Sequence, residues 1–224
     1  MWQQILLVVL RAHRISGAGC LSVFEKNNAN PEVLAQLALK DEKVLQEAFD
    51  GVLSKNDVVR QNSFQTLNFL SERHPESIYG KWDFFADLIR RGNSFHKYIA
   101  IWIIANLMKA DPENKFETLF NDYYGLLGDK SVIPAAHVAA KSGKIALAKP
   151  ELQAEITNRL LDIDNTVQKH KDLVKASAIE AFDTYFEQSK DQARIIEFVK
   201  AQLNCESPKT RKMAKEFLEK WSKK

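Results

Sequence analysis

Cysteine is nearly absent: Cys20 and Cys205 are the only two in 224 residues. Two cannot build a disulfide framework or a four-cysteine zinc site. Glycine and proline are sparse as well, at 8 and 6, which excludes a collagen-like or low-complexity chain. Neither sign of charge dominates. Lys plus Arg number 32 against 29 for Asp plus Glu, a net +3, and this balance neither requires nor excludes a nucleic-acid partner.

Long apolar runs are missing too. The strongest stretch, Tyr98 to Met108, has eleven residues with one polar side chain, whereas a bilayer-spanning helix needs about 20. It is expected to be a buried helix. The run from Ile5 to Leu10 is preceded by Gln3 and Gln4 and followed by Arg11 and Arg14. It lacks the basic lead and small-residue cleavage site of a secretory signal, so it reads as an amphipathic helix packed on the body of the protein. The cytoplasm is the expected location, with no membrane association.

Catalytic signatures are also missing. There is no phosphate-binding GxxxxGK[ST] loop, no dinucleotide GxGxxG, no HExxH and no GxSxG. The histidines, His13, His74, His96, His137 and His170, are dispersed, whereas metal sites need converging ligands and usually a close-spaced pair. Asp162, Asp164 and Asn165 could face a hard cation, but the segment lacks the central glycine and terminal Glu of a calcium loop. These residues read as polar helix ends. Cys205 has no neighbouring histidine to act as its base. No catalytic residue, metal or cofactor is expected, and no enzymatic activity.

What is present is helical periodicity. Leu152, Ile156, Leu160 and Ile163 recur at four, four and three; Phe116, Phe120, Tyr123 and Leu127 do likewise, as do Val174, Ala178, Phe182 and Tyr185. No long alternating segment is bounded by hairpin turns, so strands have no support. Two breaks are clean helix starts, with Asn30 or Ser207 as N-cap and Pro31 or Pro208 in the first turn.

A repeat emerges when the segments 58–67, 95–104, 132–141, 173–182 and 209–218 are aligned. Arg60, Lys97, Pro134, Lys175 and Arg211 share one register, separated by 37, 37, 41 and 36 residues. Three positions later stand Ser63, Ala100, His137, Ala178 and Ala214, small in all but one case, which lets crossing helices approach closely. The partner helices fall near 43–54, 81–91, 116–127, 151–163 and 192–203. A single helix pair buries too little apolar surface to stand alone, but stacked neighbours share a continuous core. The expected chain is all-α, a solenoid over 41–224 with a helical segment, 1–40, packed on it as one continuous domain.

The pattern resembles the HEAT-repeat family and its armadillo-like relatives. In 54–63, Val59-Arg60 and Ser63 stand where that family's second helix opens with an apolar residue, Arg and then a small residue. Residues 125–146 look like another unit, with Leu126-Leu127 closing the first helix and Gly143 ending the second. The resemblance implies a right-handed α-α superhelix of about five helix pairs. That family often carries an Asp six residues before the Arg, as a polar ladder between repeats. Ser54, Arg91, Gly128, Lys169 and Cys205 stand there instead.

Second helices line the concave side of such an array, so Arg60, Lys97, Lys141, Lys175 and Arg211 are candidates for contact with a partner. Arg90 and Arg91, at the turn before Lys97, join them. Trp82, between Lys81 and Asp83, is expected at the surface, and Trp102, inside the most apolar helix, in the core. The last 17 residues are basic, whereas Asp111, Glu113, Glu117 and Asp122 make their segment acidic. The leading expectation is a non-catalytic scaffold that binds a protein or peptide. The alternative is nucleic-acid binding: segment 81–102 is similar to DNA glycosylases built from HEAT-like helices, which places Trp82 and Asp83 under suspicion, with His96-Lys97 where those enzymes have paired arginines. A homodimer through the N-terminal helix is a third possibility.

Overall fold

The computed structural model describes residues 22–221, and among them every regular element is helical. The expected amphipathic helix at Ile5–Leu10, Cys20 and the terminal Lys223 and Lys224 lie outside the described residues. Twelve α-helices follow one another: α1 (Pro31–Ala38), α2 (Glu42–Gly51), α3 (Asp57–Arg73), the single turn α4 (Glu76–Tyr79), α5 (Trp82–Arg91), α6 (Ser94–Leu107), α7 (Lys115–Gly125), α8 (Val132–Ala148), α9 (Gln153–Leu161), α10 (Lys171–Tyr185), α11 (Gln192–Ala201) and α12 (Pro208–Trp221). None is long and apolar enough to cross a membrane.

Local chemistry sets where these helices begin. The first amides of a helix have no intrahelical acceptor, and a short polar side chain just upstream supplies one. Asn30, Asp41, Asn56, Asn93 and Ser131 do so for α1, α2, α3, α6 and α8. Pro31 and Pro208 occupy first helical positions, and Ser207 Oγ accepts from the Thr210 amide at 3.3 Å. Several helices end instead by tightening into a 3₁₀ turn, as at Met108–Ala110, Leu126–Gly128 and Gln202–Asn204.

The chain divides into two compact units, Met1–Ile78 and Tyr79–Lys224. In the first, α1 and α2 both pack on α3. Gly51 permits the α2–α3 approach: a Cβ there would overlap the Ser63 side chain and lie 3.3 Å from Val59 Cγ1. The buried Asn62 donates from Nδ2 to the carbonyls of Phe24 and Lys26, at 2.7 and 2.9 Å, and so pins the 3₁₀ turn Val23–Glu25 onto α3.

In the second unit, shorter helices of 9 to 11 residues (α5, α7, α9, α11) alternate with longer ones of 14 to 17 (α6, α8, α10, α12). The longer ones pack in succession, α6 on α8, α8 on α10 and α10 on α12, and the α8–α10 contact is the most extensive. Overlapping contacts of this kind define a helical-repeat, solenoid-like packing. The core runs along the row: Ile99, Ala100, Ile101, Ile103 and Ile104 of α6, Ala135, Val138 and Ala139 of α8, and Val174, Ala178 and Phe182 of α10 are all 0% exposed. Of the small positions in the repeat register, Ser63, Ala100, Ala178 and Ala214 are fully buried.

Polar links at one repeat's spacing tie neighbours together. Arg90 binds Asp122 at 2.7 Å, Lys97 binds Asp129 at 2.7 Å, Arg159 donates to Asn121 at 2.6 Å, Arg194 to Asn158 at 2.8 Å, and Lys220 to Asp183 at 2.8 Å. These partners lie 32 to 38 residues apart in sequence. A ladder therefore exists, but not through the residues six before the register Arg. Asp129, one residue after Gly128, serves Lys97, and Asp172 Oδ2 accepts from the Glu206 and Ser207 amides that precede α12.

Gly143 has a different part from the one expected of it. It does not end α8, which continues five residues further to Ala148. Gly143 sits inside the helix because a Cβ there would overlap Thr184 Oγ1 and lie 2.9 Å from the Ala181 carbonyl oxygen of α10. Its role is close approach between helices, not termination.

Candidate functional site

The surface of α6 and α8 carries the most distinctive group of side chains. Tyr98 and Trp102 lie one turn apart on α6; His137 and Lys141 lie one turn apart on α8. Side chains four apart on a helix share a face, and packing α6 against α8 brings the two pairs together. The Trp102 indole Nε1–H donates to His137 Nδ1 at 3.2 Å. The Tyr98 ring meets the imidazole edge-on with centroids 4.7 Å apart, and it is 5.8 Å from the Trp102 ring. Lys141 Nζ sits 3.3 Å from the Trp102 ring centroid, within the range of a cation–π contact. Phe95 extends the aromatic row at 5.9 Å from Tyr98.

All four members are half-buried. Burial pushes the Tyr98 hydroxyl to a higher pKa. Burial, and then the neighbouring Lys141 ammonium, hold His137 below its ordinary value, so the neutral imidazole is favoured. An Nδ1 that accepts from an indole N–H carries no proton of its own, which agrees with that direction.

The two tryptophans reverse their expected places. Trp82 is 3% exposed. With Phe85, Ala86 and Ile89 it forms an i, i+3, i+4, i+7 stripe buried along α5, its ring 5.9 Å from that of Tyr79. Trp102 instead reaches the surface. The α6 helix is apolar nearly all round, so its composition does not show which side is covered; the neighbouring α8 leaves the Tyr98–Trp102 side partly open. His137, the one large residue at the small register position, fills that side.

Each candidate basic residue engages the chain itself. Arg60 binds Asp57 and donates to the Ser54 carbonyl at 2.9 Å. Arg91 pairs with Asp87 at 3.0 Å on the same helix, and Arg90 with Asp122. Lys97 and Asp129 are both largely covered, with side chains 19% and 13% exposed. Lys175 reaches Asp164 at 2.6 Å. Arg211 donates to the carbonyls of Cys205 and Glu206 at 2.7 and 2.8 Å. Lys141 lies over Trp102. Of the stripe expected along the second helices, Lys97, Lys175 and Arg211 thus cross-brace turns, and Arg60 belongs to the other compact unit.

One polar cluster carries no sequence signature beyond an Asp-Pro break. The Asp111 side chain is fully buried before α7. It accepts from the Tyr79 hydroxyl at 2.7 Å and from the amides of Lys115 and Phe116 at 2.9 and 3.2 Å, and it pairs with Lys149 at 3.3 Å. Lys149 also donates to Asn114 Oδ1 at 2.7 Å, and Asn114 adopts left-handed backbone with φ 52°. Burial alone would raise the Asp111 carboxyl, but these hydrogen bonds outweigh it and hold it below the usual carboxylate range. The cluster fixes the α6–α7 turn against the end of α8.

Among the described residues, no three or more His, Cys, Asp or Glu are gathered closely enough to hold a metal ion. Asp164 is taken by Lys175, and Asn165 donates to Asp162 at 2.5 Å. A groove of about 580 Å³ lies beside Phe186, Ile196, Lys200 and Trp221. No protein-family model matches the chain, and no curated protein matches it. Among solved structures it is similar to the crystal structure of an engineered protein, a structural-genomics target, at 16% identity over 86% of this chain and 92% of that one, with a TM-score of 0.42.

Proposed function

We propose that this protein is a non-catalytic helical-repeat interaction module that binds a protein or peptide partner on the open side of its longer helices. The observation that carries the reading is the surface group of Tyr98, Trp102, His137 and Lys141. Large amphipathic rings held in place by neighbours supply contact area at little entropic cost, and such residues dominate binding energy at protein interfaces. Ile133 and Leu173, 49% and 42% exposed near the starts of α8 and α10, add apolar surface. The engagement of Arg90, Arg91, Lys97, Lys175 and Arg211 with acids and carbonyls of the chain favours this reading over a phosphate-binding stripe. A right-handed, HEAT-like superhelix of about five pairs, working in the cytoplasm, completes the proposal.

The test is affinity capture from the native cell extract at low and high salt, with the wild-type chain beside the Tyr98→Ala/Trp102→Ala variant. Recovery of a defined protein by the wild type and its loss from the variant are expected. Equal recovery by both would sink the assignment of the site. Binding of a labelled duplex that weakens steeply with salt, without any protein captured, would favour a nucleic-acid partner instead.

A further inference from the structure

The geometry points to a proton-operated latch between α6 and α8: uptake of a proton by His137 releases the Trp102 indole while the helices beneath stay packed. The inference goes beyond partner binding and does not depend on it.

The latch rests on which atom accepts. His137 Nδ1 takes the Trp102 Nε1–H at 3.2 Å, and a nitrogen can accept only while it is unprotonated. Once Nδ1 gains a proton, two donors face each other. The new charge also lies beside Lys141, whose ammonium is held over the same indole at 3.3 Å. Both changes drive the ring away from His137, and the Lys141–Trp102 contact is disturbed with it.

The groups around His137 set the direction of its titration. From α8 the charged neighbour is Lys141, which disfavours the imidazolium. From α6 come the Trp102 donor, which favours the neutral form, and the Tyr98 ring, its centroid 4.7 Å away in an edge contact that adds no charge. On the other side of α8, α10 carries the buried Lys175, engaged by Asp164, and the exposed Glu180. The causes of the His137 shift are burial first and then Lys141, and its direction is downward. The latch is therefore closed at neutral pH and opens on acidification below 6.5, the ordinary histidine value.

The covered side of α6 limits what opens. Ile99, Ile101, Ile103 and Ile104 are fully buried and contain no titratable group, so proton uptake at the surface frees one indole without dissolving the core.

The experiment is an NMR pH titration of the full chain, following the His137 ring C–H signal and the indole N–H signals, with Trp102→Phe assigning the Trp102 resonance. The expected result is one midpoint, below 6.5, shared by His137 and the Trp102 indole N–H but not by the other indoles. Lys141→Met should move that midpoint upward, and His137→Gln should abolish the titration of the Trp102 signal. A His137 midpoint at or above 6.5 would overturn the proposal. So would a Trp102 signal that stays still while His137 titrates, or the absence of any His137 titration before the protein unfolds.

Discussion

Replacing Gly143 with alanine puts a methyl group into the α8–α10 crossing, the most extensive helix contact of the second unit. The new Cβ would overlap Thr184 Oγ1, which can rotate away, and would stand 2.9 Å from the Ala181 carbonyl oxygen and 3.2 Å from its Cα, which cannot move without displacing α10. Overpacking of this kind costs about 1–3 kcal/mol. Against it stands the better helix propensity of alanine, a gain of about 1 kcal/mol over glycine. The net loss is about 0–2 kcal/mol, and Gly143→Val should be worse, because added volume brings more overlap with a smaller propensity gain. Gly125, the last residue of α7, provides the control. Nothing lies within 4 Å of a Cβ built there, so Gly125→Ala should stabilise by about 0.4–1 kcal/mol through the unfolded state. Thermal melts read by circular dichroism measure the difference; each kcal/mol is worth about 2–4 °C in a chain of this size. The order expected is Gly125→Ala above wild type, then Gly143→Ala, then Gly143→Val. Thr184→Ala should relieve part of the Gly143→Ala penalty, not all of it, since the carbonyl contact remains. A Gly143→Ala protein as stable as Gly125→Ala would refute the reasoning.

Four further outcomes are expected. Lys149→Met leaves the Asp111 carboxylate buried without its cation and should cost about 3–5 kcal/mol in urea unfolding at neutral pH. Because the folded-state carboxyl of Asp111 is held below its ordinary 3.8, its contribution is present above that pH and is lost as pH falls through the folded value; Asp111→Asn should remove this acid-sensitive component from the stability profile. Asp172→Ala removes the acceptor for the Glu206 and Ser207 amides and should cost about 1 kcal/mol, seen as faster hydrogen exchange at the start of α12 than elsewhere. Trp82→Ala should destabilise by about 3–5 kcal/mol as a core truncation, and half-buried Trp102→Ala by clearly less; equal losses would contradict the exchanged places of the two rings.

Much of the helical organisation is legible in the residues alone. The ten segments of the five expected helix pairs all contain helices, with starts at Pro31 and Pro208 where the cap and proline signals fall. Capping and periodicity are local, so the sequence reports them directly. The errors arise where one local cue has two physical meanings. Glycine ends helices, yet Gly143 lies inside one because a neighbouring backbone leaves no room for a Cβ. Tryptophan beside charges suggests exposure, but Trp82 belongs to a buried i, i+3, i+4, i+7 stripe that could have been read from Phe85, Ala86 and Ile89.

The sequence by itself determined the all-helical character of the described residues, their repeat spacing near 37 residues and the small residues at helix crossings, because each depends on side-chain character at fixed intervals. Only the tertiary structure decided which face of α6 is open, that Asp111 and Lys149 form a buried node, and that Trp102, His137 and Lys141 meet. Those facts depend on which helices lie side by side and at what rotation, and residues 30 to 40 positions apart acquire that relation only when the helices pack.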